Sequence, residues 1–129
     1  QYARRVQSAI LPRMAAIQAA LPDSLVYFQP RDVIGGDLPW FFDNGQVQLL
    51  AAIDCTGHGV PGALLGMMVY TLLNQAALMV PGHDPGALLE HLNAIVLEQL
   101  GETSTEHHIR ESMDVAICRI DRAAGQLLY

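Results

Sequence analysis

Charge is scarce in this sequence: 16% of its 129 residues are Asp, Glu, Lys or Arg, and the seven basic residues form no stripe. A nucleic-acid backbone, which is held by clustered cations, is therefore excluded as a partner. Cysteine is scarce too. Cys55 and Cys118 fit neither a disulfide framework nor the spacing of a zinc site, and both sit in apolar runs, which predicts a reduced, cytoplasmic setting. The longest apolar stretch, near 60 to 80, is broken by Gly62, Gly66, Asn74 and Gln75 and lacks the flanking charges of a membrane span, so no membrane contact by this segment is expected. There is no internal repeat, no low-complexity tract and no apolar signal core. The start, Gln-Tyr-Ala-Arg-Arg, has no initiator Met and reads as the edge of a piece cut from a longer protein.

Apolar residues are plentiful, at 51%, enough for one continuous core. The formal charge of -6 points to cations as partners of whatever acidic sites exist. Tyr2, Val6 and Ile10 recur four apart, and Met14, Ile17 and Leu21 resume the spacing after Pro12. Residues 1–22 are thus predicted as two helical pieces joined at a bend, either packed on their own sheet or serving as a linker or switch helix from an upstream sensor domain. Leu25 to Phe28 reads as a first strand. Trp40 to Phe42 and Val47 to Ile53 flank Asp43-Asn44-Gly45, whose Asn-Gly pair predicts an antiparallel hairpin. Val60-Pro61 opens a broadly apolar helix to about Met79, in which Gly66 marks close packing. Asp84-Pro85 caps the next helix, which ends at Gly101. Glu102 to Ser112 reads as an exposed loop, Met113 to Ile120 as a strand, and Gln126 to Tyr129 as the start of another. The order predicts an α+β fold of antiparallel strands covered by helices.

Three acids occupy positions that are expensive for a carboxylate: Asp37 after a Gly-Gly turn, Asp54 at the end of an apolar strand, and Asp114 inside one. Together they suggest a shared hard cation, Mg²⁺ or Mn²⁺ rather than zinc. Taken singly, each has a plainer role as a turn residue, a loop cap, or an acceptor for a neighbouring N–H. Asp54 is the strongest candidate, because it runs into a glycine-rich turn and a helix entrance that present N–H groups to an anion. His58, between two glycines, fits a turn residue and receives no catalytic role. His107-His108 read as solvated, and Met67 and Met68 as core.

Gly35-Gly36-Asp37, followed one hairpin later by Asp54-Cys55-Thr56-Gly57-His58-Gly59-Val60-Pro61-Gly62-Ala63-Leu64, resembles the paired signature of PPM-type (type 2C-like) metal-dependent protein serine/threonine phosphatases of the stage II sporulation protein E branch. Ile10-Leu11-Pro12, the Tyr27 to Pro30 segment and Ser112-Met113-Asp114-Val115-Ala116 fall in the same order. The resemblance implies an αββα sandwich of antiparallel sheets flanked by helices, of which residues 23–129 would be a part lacking its C-terminal end. It implies Asp37, Asp54, the backbone carbonyl of Cys55 and Asp114 as ligands of two divalent cations, Mn²⁺ or Mg²⁺, with Asp37 and Asp54 acting in catalysis through metal-activated water that attacks phosphorus in line. The implied substrate is a phosphorylated protein in bacterial signalling, an anti-sigma-antagonist-type domain; a homodimer is a separate expectation, since a core without its last strands would leave an unpaired sheet edge. The alternative is a non-catalytic signalling or dimerisation module on the same fold.

Two departures from the pattern stand out. The family's late Asp-Gly element, which donates another metal-ligand Asp, has no counterpart before Tyr129, and Leu38-Pro39 replaces the usual aromatic residues after Gly-Gly-Asp.

Overall fold

A computed structural model describes residues 1–30, 32–101 and 112–129. The chain begins with two short helices, α1 (Tyr2–Ile10) and α2 (Met14–Ala20), broken where Leu11 turns extended ahead of Pro12. Strands β1 (Leu38–Asp43) and β2 (Val47–Cys55) form the expected hairpin. Gly45, at φ +84°, takes the turn position a Cβ would strain, and the Asn44 Oδ1 accepts the N–H groups of Gln46 and Val47, both at 2.9 Å.

Helix α3 (Gly59–Met79) follows, then a 3₁₀ turn, then α4 (Pro85–Gly101). Asp84 caps α4 as its position predicts, its Oδ1 accepting the Ala87 N–H at 2.9 Å. Strands β3 (Met113–Asp121) and β4 (Gln126–Leu128) complete one antiparallel sheet of order β1-β2-β3-β4.

Alternation along the strands decides which face carries the core. On β2, Leu49, Ala51, Ile53 and Cys55 are buried with Leu38 and Trp40 of β1 and Ile117 of β3 against Leu65, Val69, Leu72 and Leu73 of α3 and Leu88, Leu92 and Val96 of α4. Trp40 is fully enclosed, and its indole N–H donates to the Asn74 Oδ1 of α3 at 2.7 Å, tying β1 to the helix layer. Helix α3 is long and apolar enough to cross a bilayer by length and composition, yet 56% of its most apolar window is buried inside the fold.

Three expectations need correction or restriction. Leu25 to Phe28 forms no regular element and pairs with no strand among the described residues. Its apolar alternation is retained, since Val26 and Phe28 are half-buried while Leu25 and Tyr27 are exposed. A strand needs a hydrogen-bonding neighbour as well as a pattern. The segment instead runs beside the helix-free face of the sheet, around a cavity of about 360 Å³ that includes Leu50, Ala52 and Cys118. The Tyr2, Val6, Ile10 stripe does not pack as a unit either: Tyr2 is 80% exposed and Val6 38%, and the buried residue of α1 is Gln7. The loop predicted for Glu102 to Ser112, with His107 and His108, lies outside the described residues except for Ser112.

Candidate metal centre

Register brings the predicted acids together. Asp54 lies directly opposite Asp114 in the β2–β3 ladder, and one step beyond the Leu38–Ile53 pair of the β1–β2 ladder it faces Asp37. Because Ile53 and Cys55 point into the core, Asp54 and its two neighbours project from the helix-free face. The result is a row of carboxylates across three adjacent chain segments at one end of the sheet. Directly opposed side chains in such ladders have Cβ atoms about 4.5–5.5 Å apart.

The interaction is strongest between Asp37 and Asp54, whose carboxyls lie close enough to act on one another. Partial desolvation raises the Asp37 carboxyl above its ordinary value, and the hydrogen bond to Asp54 and the charge of Asp54 add to the rise, even though the side chain reaches solvent at the rim. The same two acids act on Cys55: burial first, then Asp54 and Asp37, push its thiol up to about 11. That thiol is a neutral core group at physiological pH, and only the carbonyl of Cys55 is available to a cation.

Glycines set the shape of the loop around the pair. A Cβ on Gly36 would meet the Cys55 carbonyl oxygen at 2.8 Å, one on Gly62 the Gly57 oxygen at 2.5 Å, and one on Gly66 the Gly36 oxygen at 2.9 Å. The Gly35–Asp37 loop thus rests directly on the first two turns of α3, and the Cys55 carbonyl abuts the residue before Asp37. Gly57 and Gly59, at φ +92° and +64°, shape the turn into α3. That helix starts with no side-chain cap, and its first residue, Gly59, lines the same cleft as the two acids. Thr56 fastens β3 to the same turn: its N–H donates to the Ser112 oxygen at 2.9 Å, and its Oγ1 accepts the Ser112 N–H at 3.0 Å.

A small cleft of about 280 Å³ is lined by Asp32, Gly36, Asp37, Asp54, Thr56 and His58, among others. His58 is mostly solvent-exposed, with its Nδ1 3.8 Å from Asp32. It makes no bond to Asp37 or Asp54 among the described residues.

The donor set fits a hard divalent cation. Two neighbouring carboxylates that form no ion pair among the described residues, beside a main-chain carbonyl, are all-oxygen ligands of the kind Mg²⁺ and Mn²⁺ take. Among the described residues no three His, Cys, Asp or Glu side chains converge into a ready-made cage. Asp114 is placed on the right face and beside Asp54, but outside the close pair.

Residues 44–129, two thirds of the chain, match the Stage II sporulation protein E (SpoIIE) family. The chain belongs to the SpoIIE family. The fold agrees with that membership: it is similar to the SiaA-PP2C domain of Pseudomonas aeruginosa, with a TM-score of 0.82 and 33% identity over 98% of this chain. The chain spans about half, 49%, of the length of that structure. No curated protein shows significant similarity to it. The SpoIIE match begins at Asn44, so Asp54, Cys55 and Asp114 fall inside it, whereas Asp37 is covered by the structural similarity alone.

Two contributors to the site were not apparent from sequence. Gln7 sits on α1 among apolar residues, and its side chain bonds the backbone of Gly35. Thr56 reads as one more polar residue of the glycine-rich turn, and only the β2–β3 register reveals Ser112 as its partner.

Proposed function

We propose that this SpoIIE-family chain carries the acidic part of a divalent-metal phosphatase site that hydrolyses phosphoserine or phosphothreonine on a partner protein in bacterial signalling. The observation that carries the reading is the Asp37–Asp54 pair, two carboxylates held together with no protein cation between them among the described residues. Mn²⁺ or Mg²⁺ would be held by Asp37, Asp54 and the Cys55 carbonyl, with Asp114 as a further acidic ligand. When bound, two such cations supply activation of water and neutralisation of phosphate charge.

The chain's own residues do the rest. Asp37 and Asp54 orient the reacting centre from fixed backbone positions, and Gly36 and Gly62 permit the loop to lie close to α3. The uncapped start of α3, at the same cleft, favours an approaching phosphoryl group electrostatically. A cleft open to solvent on one side suits a phosphorylated segment of a folded partner, and the partner class we favour is a small anti-sigma-antagonist-type domain. The protein would act in the cytoplasm under an upstream sensor or linker domain.

The test is phosphate release by the full-length protein with Mn²⁺ from a phosphoserine protein and from a small aryl phosphate. Turnover of the phosphoprotein with a clear preference over the aryl ester supports the reading. Preference for the small ester points to another divalent-metal hydrolase.

One observation favours a second reading, a non-catalytic dimerisation or partner-binding module. Tyr2, Val6, Val60 and Leu64 are exposed around an apolar groove of about 260 Å³ between α1 and α3. Concentration-dependent association of the full-length protein without turnover would favour it.

A further inference from the structure

The loop that carries Asp37 is held from outside the sheet, by two helices. From α1, the Gln7 side-chain amide makes a paired contact with one residue: its Nε2 donates to the Gly35 oxygen at 2.7 Å, and the Gly35 N–H donates to its Oε1 at 3.3 Å. Gln7 is only 5% exposed, although its helix neighbours are largely open to solvent. A buried amide must have its hydrogen bonds made, and this one spends both its donor and its acceptor on the same backbone unit, two residues before Asp37. From α3, Gly66 lets the Gly36 oxygen and the Leu38 side chain come so near that a Cβ would lie 2.9 Å and 3.1 Å from them. The loop is therefore clamped between a polar hook and a bare patch of helix backbone. Its own sequence, with two successive glycines, has little intrinsic preference for one conformation.

We infer that Gln7 and Gly66 are positioning residues which set the divalent-cation affinity of the Asp37–Asp54 pair by fixing the Gly35–Asp37 loop. The inference rests on the metal-centre reading above. It makes α1 part of the site although no α1 side chain reaches the acids. Side chains that orient ligands from outside typically change metal affinity by about 10–100-fold when replaced. A loosened loop pays the ordering entropy on binding instead of on folding, so the effect falls on affinity while the rate at saturating metal is retained.

The test uses the full-length protein and Mn²⁺ alone as probe, with binding followed by calorimetry and the melting midpoint measured in chelator. Gln7→Met keeps the side chain's length and removes both hydrogen bonds. Gly66→Ala presses on the loop from the other side, and Gln18→Met makes the first exchange at an exposed position of α2. We expect Gln7→Met and Gly66→Ala each to raise half-saturating Mn²⁺ about tenfold. Both should also lower the melting midpoint in chelator, because Gly35 loses its partners in one and a Cβ meets the Gly36 backbone oxygen in the other, whereas Gln18→Met should leave half-saturation and melting midpoint at the parent's values. Unchanged half-saturation in both variants overturns the inference and leaves the phosphatase reading standing. A fall in affinity no larger than that of Asn74→Leu, which removes the Trp40 hydrogen bond without touching the loop, also overturns it, since a merely structural role moves affinity and melting midpoint alike. A parent protein with no saturable Mn²⁺ binding overturns the metal-centre reading, and this inference with it.

Discussion

Two carboxylates held side by side repel each other once both are ionised, and backbone geometry holds Asp37 and Asp54 in that relation. Without a cation the pair opposes folding at neutral pH. Asp37 has its folded-state value raised above the ordinary 3.8, so its favourable contribution is fully present below that value and is lost as pH rises through the raised one. Metal-free protein is accordingly expected to melt at a lower temperature at pH 7 than near pH 4, as far as this group is concerned. Asp37→Asn should raise the melting midpoint of chelator-treated protein at pH 7 and abolish the gain given by Mn²⁺ to the parent. Calorimetric melting with and without Mn²⁺ checks both halves; an Asn variant that still gains stability from Mn²⁺ would contradict the ligand assignment. At this scale the placement of Asp37 beside Asp54 was legible from sequence, because an Asn-Gly turn fixes the hairpin register that sets them across from each other, whereas Asp114 joins them through the β2–β3 pairing. Gln7 was not legible: a polar residue beside an apolar stripe looks solvated until its partner, 28 residues away, is known.

Helix α3 organises the other elements. Its buried side packs on β1, β2 and α4, its N-terminal turns carry the Gly35–Asp37 loop, and Asn74 anchors the indole of Trp40. Asn74→Leu leaves the buried Trp40 N–H without its acceptor and should destabilise the protein by about 1–3 kcal/mol. Metal affinity should be unaffected, because Asn74 lies about two helical turns beyond Gly66, the nearest loop contact on α3. Chemical denaturation together with Mn²⁺ titration measures both; a shift in affinity would mean that the helix transmits strain along its length. Helices and the hairpin were readable because period, caps and turn residues agree locally, as at Asp84-Pro85. The segment from Leu25 to Phe28 was misread because its alternation is real while its hydrogen-bonding partner is a non-local matter that local sequence does not specify. The close approach at Gly66 was anticipated, but the loop seated on it was not.

Across the whole molecule, one face of the sheet is covered by helices and the other presents the acid row beside an irregular segment with no strand partner among the described residues. The α+β class and the antiparallel sheet follow the sequence reading, and one sheet with one helical layer represents the sandwich among the described residues. The chain spans 49% of the similar SiaA-PP2C structure, so activity is to be tested in the full-length protein. The most direct measurement is steady-state phosphate release from a phosphoserine protein by full-length enzyme in Mn²⁺, against the same enzyme carrying Asp54→Asn. Metal catalysis through the Asp37–Asp54 pair predicts a loss of at least about 100-fold with the variant still folded, because exchanging a direct ligand should exceed the effect of its outer partners. Equal rates for the two proteins would contradict it.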